Sequence, residues 1–347
     1  MKPLLEQRPG DLRRVAVFRA LQLGDLLCAV PALRALRAAL PEAEITLLSL
    51  PWARELAKRL PRLIDTVVPF PGFPGLPEQP FEAESLPPFL SWAHERHFDL
   101  AIQLHGDGRT TNTVVDLLGA RWTAGYRMPD APARPHFFVY PDRGHEAWRY
   151  QHLLEQLGAP QVSTAVEFPL LPEDESEARE AVPGLTAPYA ILHAGARHAA
   201  RRWPPERFAA VATSLAERGL AVVLTGTEEE RPLTRAVRER CGAPVIDATG
   251  ATRTLGAMAA LVAGATLVVT NDTGTSHLAA ASRTRSVVIF QATSPERWAP
   301  RDRDLHVAVA MPDTLREGRG SPPPVASVLR AIDQLLQRVP EAARGTH

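Results

Sequence analysis

LVVTNDTGTSHLAAAS, residues 267–282, decides the fold class. It opens as a short apolar strand, Leu267 to Thr270, and breaks into seven small or polar residues, Asn271 to His277. An alanine-rich helix, His277 to Ser282, follows. An apolar run of this length bounded by turn residues suits a buried strand. A dense polar loop feeding a helix N-terminus suits an anion, because free backbone amides point out of that end. Upstream the same alternation repeats. Tyr189–His193, Ala221–Thr225 and Val245–Asp247 read as strands, and Pro205–Arg218, Arg231–Arg240 and Thr254–Ala263 as helices. Downstream, Ser286–Phe290 is another strand, and a breaker run, Gly318–Pro324, precedes a last helix, Val325–Arg338.

The first half alternates as well. Strands are expected at Val15–Phe18, Glu44–Leu50, Thr66–Pro69 and Asp99–Leu104, and helices at Leu26–Leu40, Trp52–Leu60, Ser91–Arg96 and Thr111–Leu118. Pro31 should kink the first of these helices or mark its effective start. The Pro-rich residues 71–88 read as an ordered loop. Alternation of this kind implies an α/β fold with parallel sheets and helices on both faces. Pro169–Pro188, with four prolines and the acidic cluster Glu173–Glu175, is the best boundary between two domains, although a helix over Glu173–Ala181 fits within it.

Composition agrees. A chain of 347 residues suggests about two domains. Formal net charge is zero, so no global field draws the chain to nucleic acid or an anionic membrane. All but two of the 39 basic residues are arginines, so a phosphate-binding cation here is expected to be Arg. The two cysteines form no metal or disulfide framework and fit a reducing cytoplasm. The polar, basic start, Met1–Arg14, has no apolar core of a secretory signal, and no apolar run is long enough to span a bilayer.

In open sheets of this class, ligands bind beyond the carboxyl ends of the strands. Gly24-Asp25 follows the first strand and opens a helix. Asp25 there is either an N-cap or a carboxylate placed to take a proton. The strand 189–193 runs into Ala194-Gly195-Ala196, then Arg201-Arg202-Trp203-Pro204-Pro205. Small residues let a ligand approach the backbone, and arginine forks beside a helix start suit phosphate oxygens, unless the loop is merely a solvated basic one. Gly226 through Glu230 follow the strand 221–225. Glu230 or its neighbours can accept ribose hydroxyls, or simply face the dipole of the next helix. There is no G-x-G-x-x-G after the first strand and no P-loop, which disfavours a dehydrogenase or a P-loop enzyme.

Taken together, these motifs resemble the bacterial heptosyltransferases, glycosyltransferase family 9. The resemblance rests on Gly24-Asp25-Leu26-Leu27 with Pro31, on Ala194-Gly195-Ala196 with Arg202-Trp203-Pro204, and on Asn271-Asp272-Thr273-Gly274 with Ser276-His277. Asp99–Gly108, Leu118–Arg121 and Gly125-Tyr126 also look familial, and order and spacing match over residues 13 to 300. The resemblance implies a GT-B architecture, with two Rossmann-like domains facing each other across a cleft. It divides the chain into an acceptor-side domain carrying the base (1–172), a nucleotide-sugar domain (185–320), and a C-terminal helix and tail (321–347). It implies inverting, metal-independent transfer from an ADP-activated heptose, with no cofactor, onto a saccharide or lipid-linked saccharide of the lipopolysaccharide-core kind. This would occur in the cytoplasm at the inner membrane face. Asp25 is similar to the family's base. Asp272, Thr273 and Gly274 match its donor-diphosphate loop, with Ser276 and His277 beside them. Arg201 stands where relatives often carry a lysine near the leaving group, a change that keeps the charge and alters its geometry. His105, Asp107 and Arg109, after the strand ending at Leu104, are candidates for the acceptor side. Two other readings stay open at this point: a GT-B-type nucleotide-sugar epimerase and a non-catalytic sugar-nucleotide-binding protein.

Overall fold

The computed structural model describes residues 3–7, 9–186, 188–312 and 321–337. The breaker residues Gly318–Gly320, the expected helix end at Arg338 and the tail beyond it lie outside these. The chain divides into two compact units, one ending at Val166 and the other beginning at Glu167.

The first unit is a six-stranded sheet with every ladder parallel. Its strands are β1 (Arg14–Phe18), β2 (Glu44–Ser49), β3 (Thr66–Pro69), β4 (Leu100–Gln103), β5 (Trp122–Arg127) and β6 (Phe137–Val139), in the order β3-β2-β1-β4-β5-β6. The second unit repeats the plan with β7 (Tyr189–His193), β8 (Ala221–Thr225), β9 (Ile246–Asp247), β10 (Leu267–Asn271), β11 (Ser286–Phe290) and β12 (His306–Ala310), in the order β12-β11-β10-β7-β8-β9. In each unit the chain winds outward from the first strand, returns, and winds the other way. The order therefore reverses between β1 and β4, and again between β7 and β10. Each is a Rossmann-like doubly wound sheet, and switch points of this kind are where such sheets bind ligands.

Helices fill the connections. Along the chain they are α1 (Leu4–Gln7), α2 (Leu23–Ala39), α3 (Ala53–Arg59), α4 (Leu86–Glu95), α5 (Thr111–Leu117), α6 (Glu146–Leu157) and α7 (Pro172–Ala181). Then come α8 (Pro205–Glu217), α9 (Arg231–Arg238), α10 (Leu255–Gly264), α11 (Gly274–Ala281), α12 (Pro295–Trp298) and, last among the described residues, α13 (Val325–Gln337). The central strands β10 and β11 are buried at every residue, as expected for parallel strands covered on both faces.

Three differences from the sequence reading have physical causes. Pro31 does not start α2, which runs on from Leu23 past it. Leu26 to Leu33 are all buried, so tertiary packing holds a helix that lacks one amide. α7 packs on α10 and belongs to the second unit, which therefore begins before the Pro169–Pro188 segment rather than within it. α13 buries Val328, Ala331, Ile332 and Leu335 in the same core as Trp203 and Phe208, so it is part of that unit and no appendage.

Candidate functional site

The second unit's switch point is tied together by Asn271, the last residue of β10. Its side chain is fully buried. Its Oδ1 accepts from the Trp203 amide at 3.0 Å, and its Nδ2 donates to the carbonyls of Ala194 at 2.8 Å and Gly195 at 3.2 Å. One amide side chain thus joins the loop after β7 to the loop after β10. Trp203 anchors the other end: its ring is buried edge-on against Phe208, and its Nε1 donates to the Pro323 carbonyl at 2.8 Å.

On this frame sit the residues expected to hold the donor. Thr273 caps α11, and Gly274 is the first residue of that helix, with neither in a left-handed conformation. The Ser276 hydroxyl donates back to the Thr273 carbonyl at 2.8 Å. His277 is buried on α11 with its ring edge-on to Trp298. Asp272 does not face open space. Its Oδ2 accepts from the Thr293 hydroxyl at 2.6 Å and lies 3.7 Å from Arg201 Nη1, and the side chain is only 3% exposed. Arg201, by contrast, is one-third exposed. Arg202 is exposed and donates through Nε to the Ala196 carbonyl at 2.8 Å. The Arg201 guanidinium thus lies next to Asp272, two residues before α11, whose amino end also favours an anion, while Arg202 sits on the same loop as Arg201.

Beyond β8, Glu230 lies directly over Gly195, where an added Cβ would stand 2.1 Å from its Oε1. Any larger residue at 195 would displace that carboxylate. Glu230 also accepts from the Thr227 amide at 2.9 Å, so it closes a capping box as well as reaching the loop after β7. Gly226 packs against the same side chain. His193, at the end of β7, pairs through Nδ1 with the Thr225 hydroxyl at 3.1 Å. Burial lowers its pKa, and the nearby Glu230 opposes this only in part.

In the first unit, Asp25 is the third residue of α2, and the N-cap is Gln22, so Asp25 is not the cap. Its carboxylate is about a quarter exposed. Behind it lies Arg19, wholly buried at the end of β1. The Arg19 Nε donates to the Asp25 carbonyl at 2.8 Å, and Nη1 donates to the Leu104 carbonyl. Nη2 lies 3.8 Å from Asp25 Oδ1 and 3.8 Å from Glu146 Oε1, with no hydrogen-bond partner among the described residues. The guanidinium stacks on Tyr150, 4.3 Å from the ring centroid. Burial disfavours its charge, but Tyr150 and the Asp25 and Glu146 carboxylates more than offset this, so Arg19 stays protonated. Glu146 in turn holds buried Arg149 at 2.8 Å, and Arg149 Nη1 also donates to Tyr140 Oη at 2.9 Å.

The acceptor candidates divide. His105 is buried, stacked on Phe18, with Nδ1 accepting from the Ala20 amide at 3.3 Å. Burial and the charge of Arg19 push its pKa down to about 3, so it is neutral and its 4.0 Å approach to Glu78 is no ion pair. Asp107 accepts from the Arg109 amide at 3.0 Å, and the Arg109 side chain is mostly exposed. The structure therefore joins His105 to the Asp25 cluster through Arg19 and leaves Arg109 at the surface.

Sequence reading missed Arg19, Glu146, Thr293 and Gln291, the last a buried side chain just beyond β11 whose Nε2 lacks a partner among the described residues. The places of Arg19, Glu146 and Thr293 depend on partners distant in sequence. A cavity of about 360 Å³ also opens between α7 and α10, but at the amino end of β7 and lined by apolar residues together with Glu175 and Arg179, away from all these loops. Among the described residues no three His, Cys, Asp or Glu side chains gather as a metal ion would need, and no helix is long and apolar enough to cross a membrane.

Comparison with known proteins agrees with this plan. The family model described as Glycosyltransferase family 9 (heptosyltransferase) matches residues 94–315. The chain belongs to glycosyltransferase family 9. It is 29% identical over 174 residues to lipopolysaccharide heptosyltransferase 3 of Escherichia coli, a stretch covering 47% of this chain and 50% of that protein. The chain thus spans about half the length of the curated relative it matches. Its fold is similar to a glycosyl transferase family 9 structure from Veillonella parvula DSM 2008, with a TM-score of 0.78 and 24% identity over 94% of this chain and 99% of that one. The E. coli heptosyltransferase WaaC with ADP gives 0.68 and 19% over 93% and 99%. At these identities the structures speak to the fold alone, and both share this family 9 chain's α/β plan.

Proposed function

We propose that this family 9 chain is an inverting glycosyltransferase that moves a heptose from ADP-heptose onto a saccharide acceptor of the lipopolysaccharide-core kind. The observation that carries the reading is the Asn271 frame, which ties the loop bearing Arg201 and Arg202 to the loop that opens α11 and brings Arg201 next to Asp272. Arginines and helix amides at one switch point suit a departing diphosphate, and such pre-placed donors stabilise charge as it develops. ADP in the similar WaaC structure and the heptosyltransferase relative supply the choice of donor. In this reading Thr273 and Gly274 offer amides, Arg201 and Arg202 neutralise the leaving group, and Glu230 accepts a ribose hydroxyl. Asp272, already engaged with Arg201 and Thr293, orients Arg201 instead of meeting the diphosphate itself. Asp25 takes the proton of the attacking hydroxyl.

Loss of one pre-placed donor of this type costs about 100-fold or more in rate. Arg201→Ala is expected to slow transfer to that degree, and EDTA to leave the rate unchanged. Activity abolished by EDTA and restored by a divalent ion would overturn the metal-independent part. An Arg201→Ala enzyme of wild-type rate would overturn the assignment of Arg201.

A further inference from the structure

Arg19 and Glu146 are buried charges that the transfer reaction as described leaves without a task. Two hydrogen bonds to backbone carbonyls fix the plane of the Arg19 guanidinium, which leaves Nη2 at 3.8 Å from both Asp25 Oδ1 and Glu146 Oε1. A wholly buried cation needs a counter-charge, or its desolvation is strongly unfavourable. With Asp25 as its sole partner, the cation would resist every proton that Asp25 took up. Glu146 lessens that obstacle, because it remains charged at the same distance from that Nη2.

We propose that Arg19 and Glu146 are positioning residues that act through Asp25: Arg19 holds the carboxylate ionised before transfer, and Glu146 remains as the anion beside Arg19 once Asp25 is protonated. The inference rests on the reading of Asp25 as the base. In the transfer step the acceptor oxygen bonds the anomeric carbon and its proton passes to Asp25. The bond from that carbon to the diphosphate breaks, and the electron pair leaves with the diphosphate. Before the step Arg19 and Arg149 balance Glu146 and Asp25, and afterwards the cluster carries one added positive charge. The other titratable neighbours do not absorb it. His105, at the end of β4, is buried and neutral, and the Tyr150 hydroxyl on α6 accepts from the Gly106 amide at 3.0 Å. Arg149, also on α6, is already paired with Glu146.

The two charges should therefore move the acidic limb of the rate profile in opposite directions, which a purely structural role would not do. The test is kcat against pH at saturating donor and acceptor for the full-length Arg19→Gln, Arg19→Lys, Glu146→Gln and Asp25→Asn variants. A cation a few ångströms from a carboxylate shifts its titration by about one unit or more. Arg19→Gln is expected to raise the acidic limb by about that amount, and Arg19→Lys to bring it back towards wild type. Glu146→Gln is expected to lower the limb by about half a unit, with donor and acceptor KM within about twofold of wild type. Limbs that stay put or move together, while Asp25→Asn is inactive, overturn this inference and leave the base in place. An active Asp25→Asn instead removes the base itself, and this inference with it. If Arg19→Gln does not fold, the direction of the shift in Glu146→Gln decides alone.

Discussion

At the scale of the residue, the proposed activity turns most on Asp25. It lies in the first turn of α2 without being its cap, and its carboxylate is partly exposed. Asp25→Asn keeps the shape and loses the base. General-base assistance is worth about 10²–10⁴-fold, so turnover should fall by that factor while donor affinity and melting temperature stay near wild type. Turnover close to wild type, measured as ADP release, would leave Asp25 with only its favourable place at the helix dipole. Asp25 was legible in the sequence because Gly24-Asp25 follows an apolar strand, which puts it at a strand's carboxyl end. Arg19 was not legible. An arginine next to a strand looks like a surface residue until Glu146, from the far end of the first unit, is seen against it. His105 shows the opposite limit. Its position after β4 was readable, but not its burial under Phe18, which makes it a neutral packing partner.

At the scale of the element, the loops after β7 and β10 work as one piece because Asn271 bonds to both. Asn271→Ala would leave the Trp203 amide and two carbonyls without their partner. Each buried group left unsatisfied costs about 1–3 kcal/mol. The amide matters most, since it has a single proton to donate. Chemical denaturation should show a loss of about that size, with weaker donor binding in the variant that remains folded. Unchanged stability would mean that the two loops hold their places without this side chain. Elements with unbroken apolar runs, β7, β8, β10 and β11, were plain in the sequence. α1, β5, β6, α6, α12 and β12 were not, and three of these show why. β5 contains a glycine and polar residues, β12 begins on a histidine, and α6 interleaves its apolar stripe, Ala147, Tyr150, Leu153, Leu154 and Leu157, with buried Glu146, Arg149 and Gln151. Each is stabilised by what it packs against, through cross-strand pairing for the strands and contact with α2 for the helix, and such partners leave little local signal.

At the scale of the whole molecule, both units bury histidines in the neutral form. Burial pushes His105 in the first unit down to about 3 and His306 in the second down to about 4. The unfolded chain takes up these protons near the ordinary value of 6.5, and the folded chain does so only at lower pH. Stability contributed by the neutral form is therefore complete above that value and declines as pH falls towards the folded values. Each such histidine makes the decline steeper by up to about 1.4 kcal/mol per pH unit. Denaturation measured from pH 7.5 to 5 should show it, and His306→Asn should make it shallower. An equal slope in the variant would mean that His306 ionises alike in both states. The two-unit plan was visible in the repeated alternation, whereas the membership of α7 and α13 in the second unit was not, because helix docking is decided by packing. The most direct test of the proposed activity is to incubate the full-length protein with ADP-heptose, with and without a lipopolysaccharide-core acceptor, in EDTA. Release of ADP only when the acceptor is present, with a glycosidic bond of inverted anomeric configuration, is the expected result. A donor altered without acceptor, or a product of retained configuration, would contradict it.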